Sequence, residues 1–194
     1  MRRHLSVKGG RLLLALAVLL IGLPLILTSQ PPHATQVVHA KENPQRFIQQ
    51  VAPHAQLLSK AYGIKASLLI GQAALSSNYG GTLLASKYHN LYGMTTSRNP
   101  HAVLLLQSVY QNNRWTSRPN YYTVYASWQD SMDAYMDALK SGQWGDSLYT
   151  NLVTHKSNDE AAQFLAASSY TTDPDYTNKL TNIISRYRLT QYDN

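Results

Sequence analysis

The stretch that decides the fold is Gly71-Gln72-Ala73-Ala74-Leu75-Ser76-Ser77-Asn78-Tyr79-Gly80, which lies near the middle of this 194-residue chain. Residues 64–77 are apolar almost all round, a pattern typical of a helix buried on most sides by its own protein. Two consecutive glycines follow at positions 80 and 81 and allow the left-handed turn that ends a helix. The sequence therefore predicts a central buried helix over 64–77.

Three polar residues interrupt this apolar background. Gln72, Ser76 and Tyr79 are spaced at i, i+4 and i+7, so they share one face of the predicted helix. A polar strip on a buried helix suggests the floor of a cleft. Alternatively, Ser76 and Ser77 only bond backbone groups in the last helical turn.

The flanking sequence predicts further helices and one small β lobe. Apolar periodicity indicates helices over 45–62, with Gly63 as its stop, and from Ser127 to a stop at Gly142. Alternating and aromatic residues over 101–125 favour a β-hairpin or small three-stranded lobe with its turn at 111–114. Two more helices are expected over 157–167, with a capping box from Ser157 to Glu160, and over 175–188. The expected fold class is thus α+β, mainly helical, with a ligand cleft between lobes.

The aromatic content has an unusual balance. Fourteen tyrosines and three tryptophans accompany only two phenylalanines, so most aromatic faces carry a hydrogen-bonding group. Such rings stack on sugar faces and bond hydroxyls, although tyrosine also suits the half-buried surface of a small domain.

Several motifs together resemble one known family, the glucosaminidase domain of glycoside hydrolase family 73, found in autolysins and flagellar muramidases. The resemblance covers about 45–193 and implies a lysozyme-like fold and peptidoglycan as the bound polymer. Its motifs are Gly71 to Gly80, Leu84-Ala85, Tyr88-His89-Asn90-Leu91-Tyr92-Gly93-Met94, Tyr125-Ala126-Ser127-Trp128 with Ser131, and Tyr170-Thr171-Thr172-Asp173-Pro174-Asp175-Tyr176 with Lys179-Leu180.

The chain departs from the family pattern at the positions of the catalytic carboxylates. The resemblance places a general-acid glutamate at Ser76 and a second carboxylate at Val109. No Asp or Glu occurs anywhere from Asn43 to Gln129, so this loss does not depend on the alignment. Glycoside hydrolysis normally uses two carboxyl groups, and a serine hydroxyl cannot act as the acid near neutral pH. Weak or no hydrolysis is therefore expected.

Other residues are expected to bind substrate or to substitute in catalysis. The residues expected to grip the glycan are Gln72, Tyr79, Tyr92, Trp115 and Tyr176. Asp173, with Tyr170 beside it, is the candidate substitute carboxylate, since the resemblance implies that a tyrosine of this motif assists catalysis. Alternatively, Asp173 is only the N-cap of the last helix, with Pro174 in its first turn.

The N-terminus carries an export signal. Residues 1–11 form a basic tail that is expected in the cytoplasm, and 12–28 an uncharged segment at the lower edge of membrane-spanning length. Residues 29–44 are expected to be an extended linker, and 45–194 the peptidoglycan-binding domain outside. The site Val38-His39-Ala40 resembles a cleavage signal but lies far from the apolar core, so an uncleaved anchor is favoured over a cleaved signal.

Charge and composition narrow the function classes. The chain has net charge +7, but four positive charges lie in the tail, which leaves 13 Lys and Arg against 10 Asp and Glu in the exported part. This modest excess and the export signal disfavour nucleic acid. Positive charge is concentrated before Asp130 and acid after it, which suits an anionic wall polymer or muramyl carboxylates, or else an ordinary solvated surface. No cysteine is present, no histidine spacing indicates a metal, and no cofactor is expected. The alternative function is an active endo-β-N-acetylglucosaminidase whose acid comes from the second half of the domain.

Overall fold

The computed structural model describes residues 30–38 and 43–193. This part of the chain confirms a mainly helical α+β fold with a small two-stranded antiparallel sheet. The elements in chain order are α1 (Pro44–Tyr62), α2 (Ala66–Ser77), α3 (Leu83–Tyr88), β1 (Ala102–Gln111), β2 (Arg114–Thr123), α4 (Trp128–Lys140), α5 (Leu148–Thr154), α6 (Asn158–Ala167), α7 (Tyr176–Arg186) and a 3₁₀ turn (Leu189–Tyr192).

Helix α2 is the central element, as its apolar sequence predicts. Every residue from Ala66 to Ala74 is buried, and the helix contacts α1, α7 and the 3₁₀ turn. Asn78 ends it in a left-handed conformation at φ 48°, with its N–H bonded to the carbonyl of Ala74. The last turn of α2 is therefore fixed in place by packing on several sides.

The β lobe is a single long hairpin. Asn112 and Asn113 both have positive φ, 53° and 58°, which is the conformation that a two-residue hairpin turn requires and that asparagine tolerates. From this turn the strands pair in unbroken register from Gln111 opposite Arg114 to Ala102 opposite Thr123. The predicted Asn-Asn turn is confirmed, and the third strand considered for this lobe is replaced by isolated bridges.

The predicted linker over 29–44 is in part an integral piece of the domain. Residues Pro32–Val38, here called the N-terminal strap, bridge β1 through His33 and Leu106, and the start of α3 through Val37 and Thr82. Ala34 is only 2% exposed. The compact unit accordingly begins at Pro32 and not at the expected Gln45.

Helix starts agree with the sequence in two cases and differ in one. Ser127 and Ser157 cap α4 and α6, each accepting the N–H of the residue three positions later. In the capping box the Glu160 carboxylate accepts the N–H of Lys156, one residue before the cap. Asp173 is not the N-cap of the last helix, because α7 begins at Tyr176, three residues later, and its N-cap is Asp175.

The segments predicted for the membrane and the cytoplasm, residues 12–28 and 1–11, lie outside the described residues. Within 30–38 and 43–193, no helix combines the length and apolar character needed to cross a bilayer.

Candidate functional site

A groove of about 410 Å³ lies where the hairpin faces the helical part of the domain. The end of α2 and the loop over 169–173 form its helical side. Strand β1, through residues 107–109, and Ala34 with Thr35 of the N-terminal strap form the opposite side. Its volume is in the range of ligand sites in proteins.

Ser76 and Val109 both line this groove, so the two positions that the resemblance assigns to catalytic carboxylates come together. The hydroxyl of Ser76 lies 2.8 Å from the carbonyl oxygen of Gln72 and also contacts that of Leu91. Val109 is buried, with 6% exposure. Neither side chain can supply a proton to a leaving oxygen.

Asp173 is the single carboxylate that lines the groove within the described residues. One of its oxygens accepts the ammonium of Lys179 at 2.6 Å, and the other accepts the N–H of Asp175 at 3.0 Å. Both partners are donors, so Asp173 is held as an acceptor. A general acid has the opposite task, because it must donate a proton.

A cluster of buried and half-buried aromatic rings forms the floor of the groove. Tyr92 stacks on Tyr135 with ring centroids 4.1 Å apart, and Tyr170 packs between Tyr135, Tyr176 and Trp144. Burial raises the pKa of all four tyrosines, so their hydroxyls stay protonated at physiological pH. Tyr92, Tyr170 and Tyr176 line the groove.

Gln72 supports this floor and does not line the groove. Its side chain is fully buried, and its amide nitrogen donates to the hydroxyl of Tyr135 at 2.6 Å. The direct contact with glycan expected for Gln72 is therefore corrected to a positioning role beneath Tyr135. The amide oxygen of Gln72 and the hydroxyl of Tyr176 are buried without a hydrogen-bond partner among the described residues.

The last two residues predicted to contact the glycan, Trp115 and Tyr79, differ in their position relative to the groove. Trp115 lines the groove and is 53% exposed, with its ring edge-on to Tyr110. Tyr79 packs instead against Phe47 and Tyr187 and is not among the residues that line the groove. Tyr79 takes a left-handed backbone conformation at φ 56°, which continues the turn that ends α2 and carries its ring off the predicted helical face.

The sequence prediction missed a polar group at the hairpin side of the groove. Arg118 and Gln107 line both the groove and a smaller adjoining cavity of about 190 Å³. They are cross-strand partners, and this pairing follows from the Asn112-Asn113 turn that the sequence does predict. Counting back from the turn would have placed Arg118 opposite Gln107, close to Val109.

One hydrogen bond joins the two sides of the groove. The backbone N–H of Tyr110, near the hairpin turn, donates to Thr172 Oγ1 at 3.0 Å. The loop that carries Asp173 is thereby held to the hairpin. In the described part of the chain, no group of three or more His, Cys, Asp or Glu side chains lies close enough to hold a metal ion.

Comparison with known proteins gives relatives named as a glucosaminidase, an autolysin and a probable N-acetylmuramidase. The chain is 31% identical to the exo-glucosaminidase LytG of Bacillus subtilis, over 97% of this chain and 69% of the relative. It is also 31% identical to an autolysin of Enterococcus faecalis, over 78% of this chain but only 21% of the relative. A probable N-acetylmuramidase of Lactococcus lactis matches at 30% identity, over 79% of this chain and 36% of the relative.

Solved structures show the same relationship. The catalytic domain of the autolysin Auto from Listeria monocytogenes superimposes with a TM-score of 0.67 at 27% identity, covering 99% of this chain and all of that one. An N-acetylmuramoyl-L-alanine amidase from Staphylococcus aureus gives a TM-score of 0.73 at 31% identity, covering 82% of this chain and 46% of that one. The fold is therefore that of the lysozyme-like peptidoglycan hydrolases.

A sequence profile described as mannosyl-glycoprotein endo-beta-N-acetylglucosaminidase matches residues 52–189. This range contains α2, the hairpin and the loop over 169–173, and so nearly every element of the groove. With the shared fold and the relatives above, it establishes that the chain belongs to the glucosaminidase family.

Proposed function

We propose that this chain is a membrane-tethered, outward-facing member of the glucosaminidase family that binds peptidoglycan glycan strands and hydrolyses them weakly or not at all. The observation that carries the proposal is the composition of the groove. Ser76 and Val109 line it where the family resemblance expects carboxylates. Asp173, the one carboxylate that lines it among the described residues, is paired with Lys179.

Hydrolysis depends on the leaving oxygen of the glycosidic bond. That oxygen must receive a proton as the bond breaks, and a second group must stabilise or attack the anomeric carbon. The acetamido group of the sugar can serve as the second group, but it has no proton to supply to the leaving oxygen. Loss of general-acid catalysis costs about 10² to 10⁴ in rate.

Binding depends on the aromatic surface of the groove. Tyr92, Tyr170 and Tyr176 lie on the floor of the groove, and Trp115 stands half-exposed at its hairpin side. Aromatic faces cover the apolar faces of sugar rings, and tyrosine hydroxyls bond their hydroxyl groups. These side chains do not depend on the missing carboxylates, so a groove without hydrolysis retains its means of binding.

The proposed tether rests on the sequence of residues 1–28. Four basic residues precede the uncharged segment, which by the positive-inside pattern directs the following domain outward. Protease added to intact protoplasts should then remove the domain and spare the N-terminal tail. A domain that resists this treatment while the membrane is intact, but is cut after lysis, would refute the proposed orientation.

A rival function is an active endo-β-N-acetylglucosaminidase that uses Asp173 as its acid. The specific observation in its favour is that Asp173 lines the groove. For this role the Lys179 ammonium would have to move away on substrate binding, because a carboxylate bonded to two donors has no proton to give. Lys179→Met would remove the donor that holds one Asp173 oxygen, so the rival predicts retained or raised activity in that variant.

Two assays on the same protein separate the functions. Full-length protein is mixed with insoluble peptidoglycan and sedimented, and is also run in a gel that contains peptidoglycan. Retention in the pellet without a cleared band supports the binder, whereas a cleared band supports the enzyme. A protein that neither sediments with peptidoglycan nor clears it would contradict both.

A further inference from the structure

We propose that Arg118, which is positioned by Gln107, forms a carboxylate-binding subsite of the groove that recognises the acidic substituent of muramic acid units. This inference rests on the proposed function, because it assumes that the groove holds a peptidoglycan glycan. It adds the chemical group of that glycan that the hairpin side of the groove binds.

The first observation is how the guanidinium is positioned. Arg118 Nε donates to Gln107 Oε1 at 3.3 Å, and the same oxygen accepts Asn120 Nδ2 at 2.9 Å. Gln107 is therefore fixed by two donors, and it orients the Nε edge of the arginine. The two terminal nitrogens of Arg118 are left with four N–H donors, the arrangement that binds a carboxylate through two parallel hydrogen bonds.

The second observation is that this positive charge has no counterion among the described residues. Within residues 30–38 and 43–193, the ion pairs are His54 with Asp133 and Lys179 with Asp173, and neither includes Arg118. The chain has no acid from Asn43 to Gln129, so the strand and its neighbours in sequence supply none. Asp173, the one carboxylate of the groove in this part of the chain, is already neutralised by Lys179.

The third observation is the character of the cavity. Arg118 lines both the main groove and the adjoining cavity of about 190 Å³. Thr95, Asn120 and Gln143 face this smaller cavity, with Tyr92 and Tyr170 shared between the two spaces. The side chains around Arg118 thus offer hydroxyl and amide groups, which suit a charged substituent branching from a glycan that lies over the tyrosines.

The charge of Arg118 also acts on the groove wall. Burial raises the pKa of Tyr122 to about 12, and the positive charge of Arg118 opposes this rise. Tyr122 lines the same groove. The guanidinium is therefore close enough to influence Tyr122, which lies four residues further along the same strand.

The chemistry of peptidoglycan indicates which of its groups Arg118 binds. In a strand of alternating N-acetylglucosamine and N-acetylmuramic acid, only the muramic unit carries a lactyl ether. That ether ends either in its own carboxylate or in a peptide stem that bears carboxylates. The shared group is a carboxylate on the substituent of the muramic ring, whereas a polymer of N-acetylglucosamine alone carries no charge.

The test measures binding of full-length protein, kept in detergent, to four probes. These are an uncharged N-acetylglucosamine oligosaccharide, peptidoglycan glycan stripped of its peptides, glycan with its stems intact, and a polyglycerol phosphate. The variant is Arg118→Gln. Its matched control is Arg114→Gln, which removes the same charge from an exposed position of the same strand that does not line either cavity.

Arg118→Gln should weaken binding of at least one carboxylate-bearing glycan about tenfold or more, the loss expected for a charge-assisted hydrogen bond. Binding of the uncharged oligosaccharide should not change, and Arg114→Gln should bind all probes as the unmodified protein does. Arg118→Lys should recover only part of the loss, because an ammonium lacks the planar pair of donors. A loss on stripped glycan assigns the lactyl carboxylate, and a loss confined to intact stems assigns a peptide carboxylate.

Three results would overturn the subsite. The first is an equal loss on charged and uncharged glycans, and the second is an equal loss in the Arg114→Gln control. The third is a loss confined to the polyglycerol phosphate, which would assign Arg118 to a phosphate polymer. If the unmodified protein bound none of the glycans, the proposed function itself would fail, and this outcome is distinct from the other three.

Discussion

Ser76 limits the chemistry that the groove offers. Its hydroxyl contacts the carbonyl oxygens of Gln72 and Leu91, so the one proton it carries is bonded to the backbone of its own protein. A carboxyl group on a longer side chain at this position would extend past these carbonyls into the groove. The replacement therefore changes both the acidity of the group and its reach toward a substrate.

Trp115 and Tyr79 should respond differently to truncation. Trp115→Ala should weaken retention on peptidoglycan by about 1 to 3 kcal/mol with little change in the free energy of unfolding, because the ring is 53% exposed and lines the groove. Tyr79→Ala should mainly destabilise the fold, because its ring packs on Phe47 and Tyr187. Sedimentation and urea unfolding of both variants check this. Weaker retention in Tyr79→Ala alone would contradict the placement of the two rings.

The difference between Tyr79 and Ser76 shows what helical periodicity cannot supply. The spacing of Gln72, Ser76 and Tyr79 predicts a site at the end of α2, and Ser76 lines the groove there. Periodicity does not say where the helix stops or which neighbour covers a residue. Tyr79 falls beyond the last helical residue, Ser77, and Gln72 lies beneath Tyr135.

The turn that follows α2 should be sensitive to any added side chain at Gly80. A Cβ there would lie 2.8 Å from the Trp128 ring, and the backbone has φ +80°. The ring cannot move easily, since Trp128 Nε1 donates to the carbonyl of Ala85 at 2.9 Å. Gly80→Ala should therefore lower the free energy of unfolding by about 2 to 4 kcal/mol, from strain and overpacking combined.

Gly93→Ala is the matched control for Gly80→Ala. Gly93 also has positive φ, +70°, but nothing lies within 4 Å of its added Cβ, so only backbone strain of about 1 to 2 kcal/mol is expected. Urea unfolding of the two variants measures the difference. Equal losses would show that the contact with Trp128 does not constrain the turn.

The elements that could be predicted are those with strong local signals. The apolar run of α2, the serine caps of α4 and α6 and the Asn112-Asn113 turn each follow from the residues at that place. The N-terminal strap could not be predicted, because its structure depends on the edge of β1. The N–H of Ala34 donates to the carbonyl of Leu106, and the N–H of Leu106 donates to the carbonyl of Pro32. The strap's own sequence has no periodicity. The short helices α3 and α5 were missed for a similar reason, since one or two turns give too few residues for a pattern.

Taken as a whole, the domain is packed around its buried tyrosines, which should make it sensitive to alkali. Burial raises the pKa of Tyr92, Tyr135, Tyr170 and Tyr176 above the ordinary value of 10. Below pH 10 the tyrosines are protonated in both states, and stability is unaffected. Above pH 10 the unfolded chain releases protons first, so unfolding becomes easier by up to about 1.4 kcal/mol per pH unit for each tyrosine.

Thermal unfolding followed by circular dichroism between pH 8 and 11 measures this dependence. The midpoint temperature of unfolding should not change up to about pH 10 and should then fall steeply. Tyr135→Phe should make the fall shallower, even though its stability at pH 8 is lower because Gln72 loses its partner. A midpoint that stays level to pH 11 would mean that the floor of the groove opens to solvent.

We infer that this chain retains the family fold while its groove lacks the family's general acid. The most direct test is the initial rate of reducing-end release from purified peptidoglycan, at matched folded concentration and pH 4 to 7, by unmodified protein, Ser76→Glu and the uncharged control Ser76→Gln. The unmodified protein and Ser76→Gln should stay near background. Ser76→Glu should gain about 10² or more, because partial burial keeps part of the restored carboxyl protonated. Turnover of roughly 1 s⁻¹ or more by the unmodified protein, abolished by Asp173→Asn and not raised by Ser76→Glu, would contradict this claim.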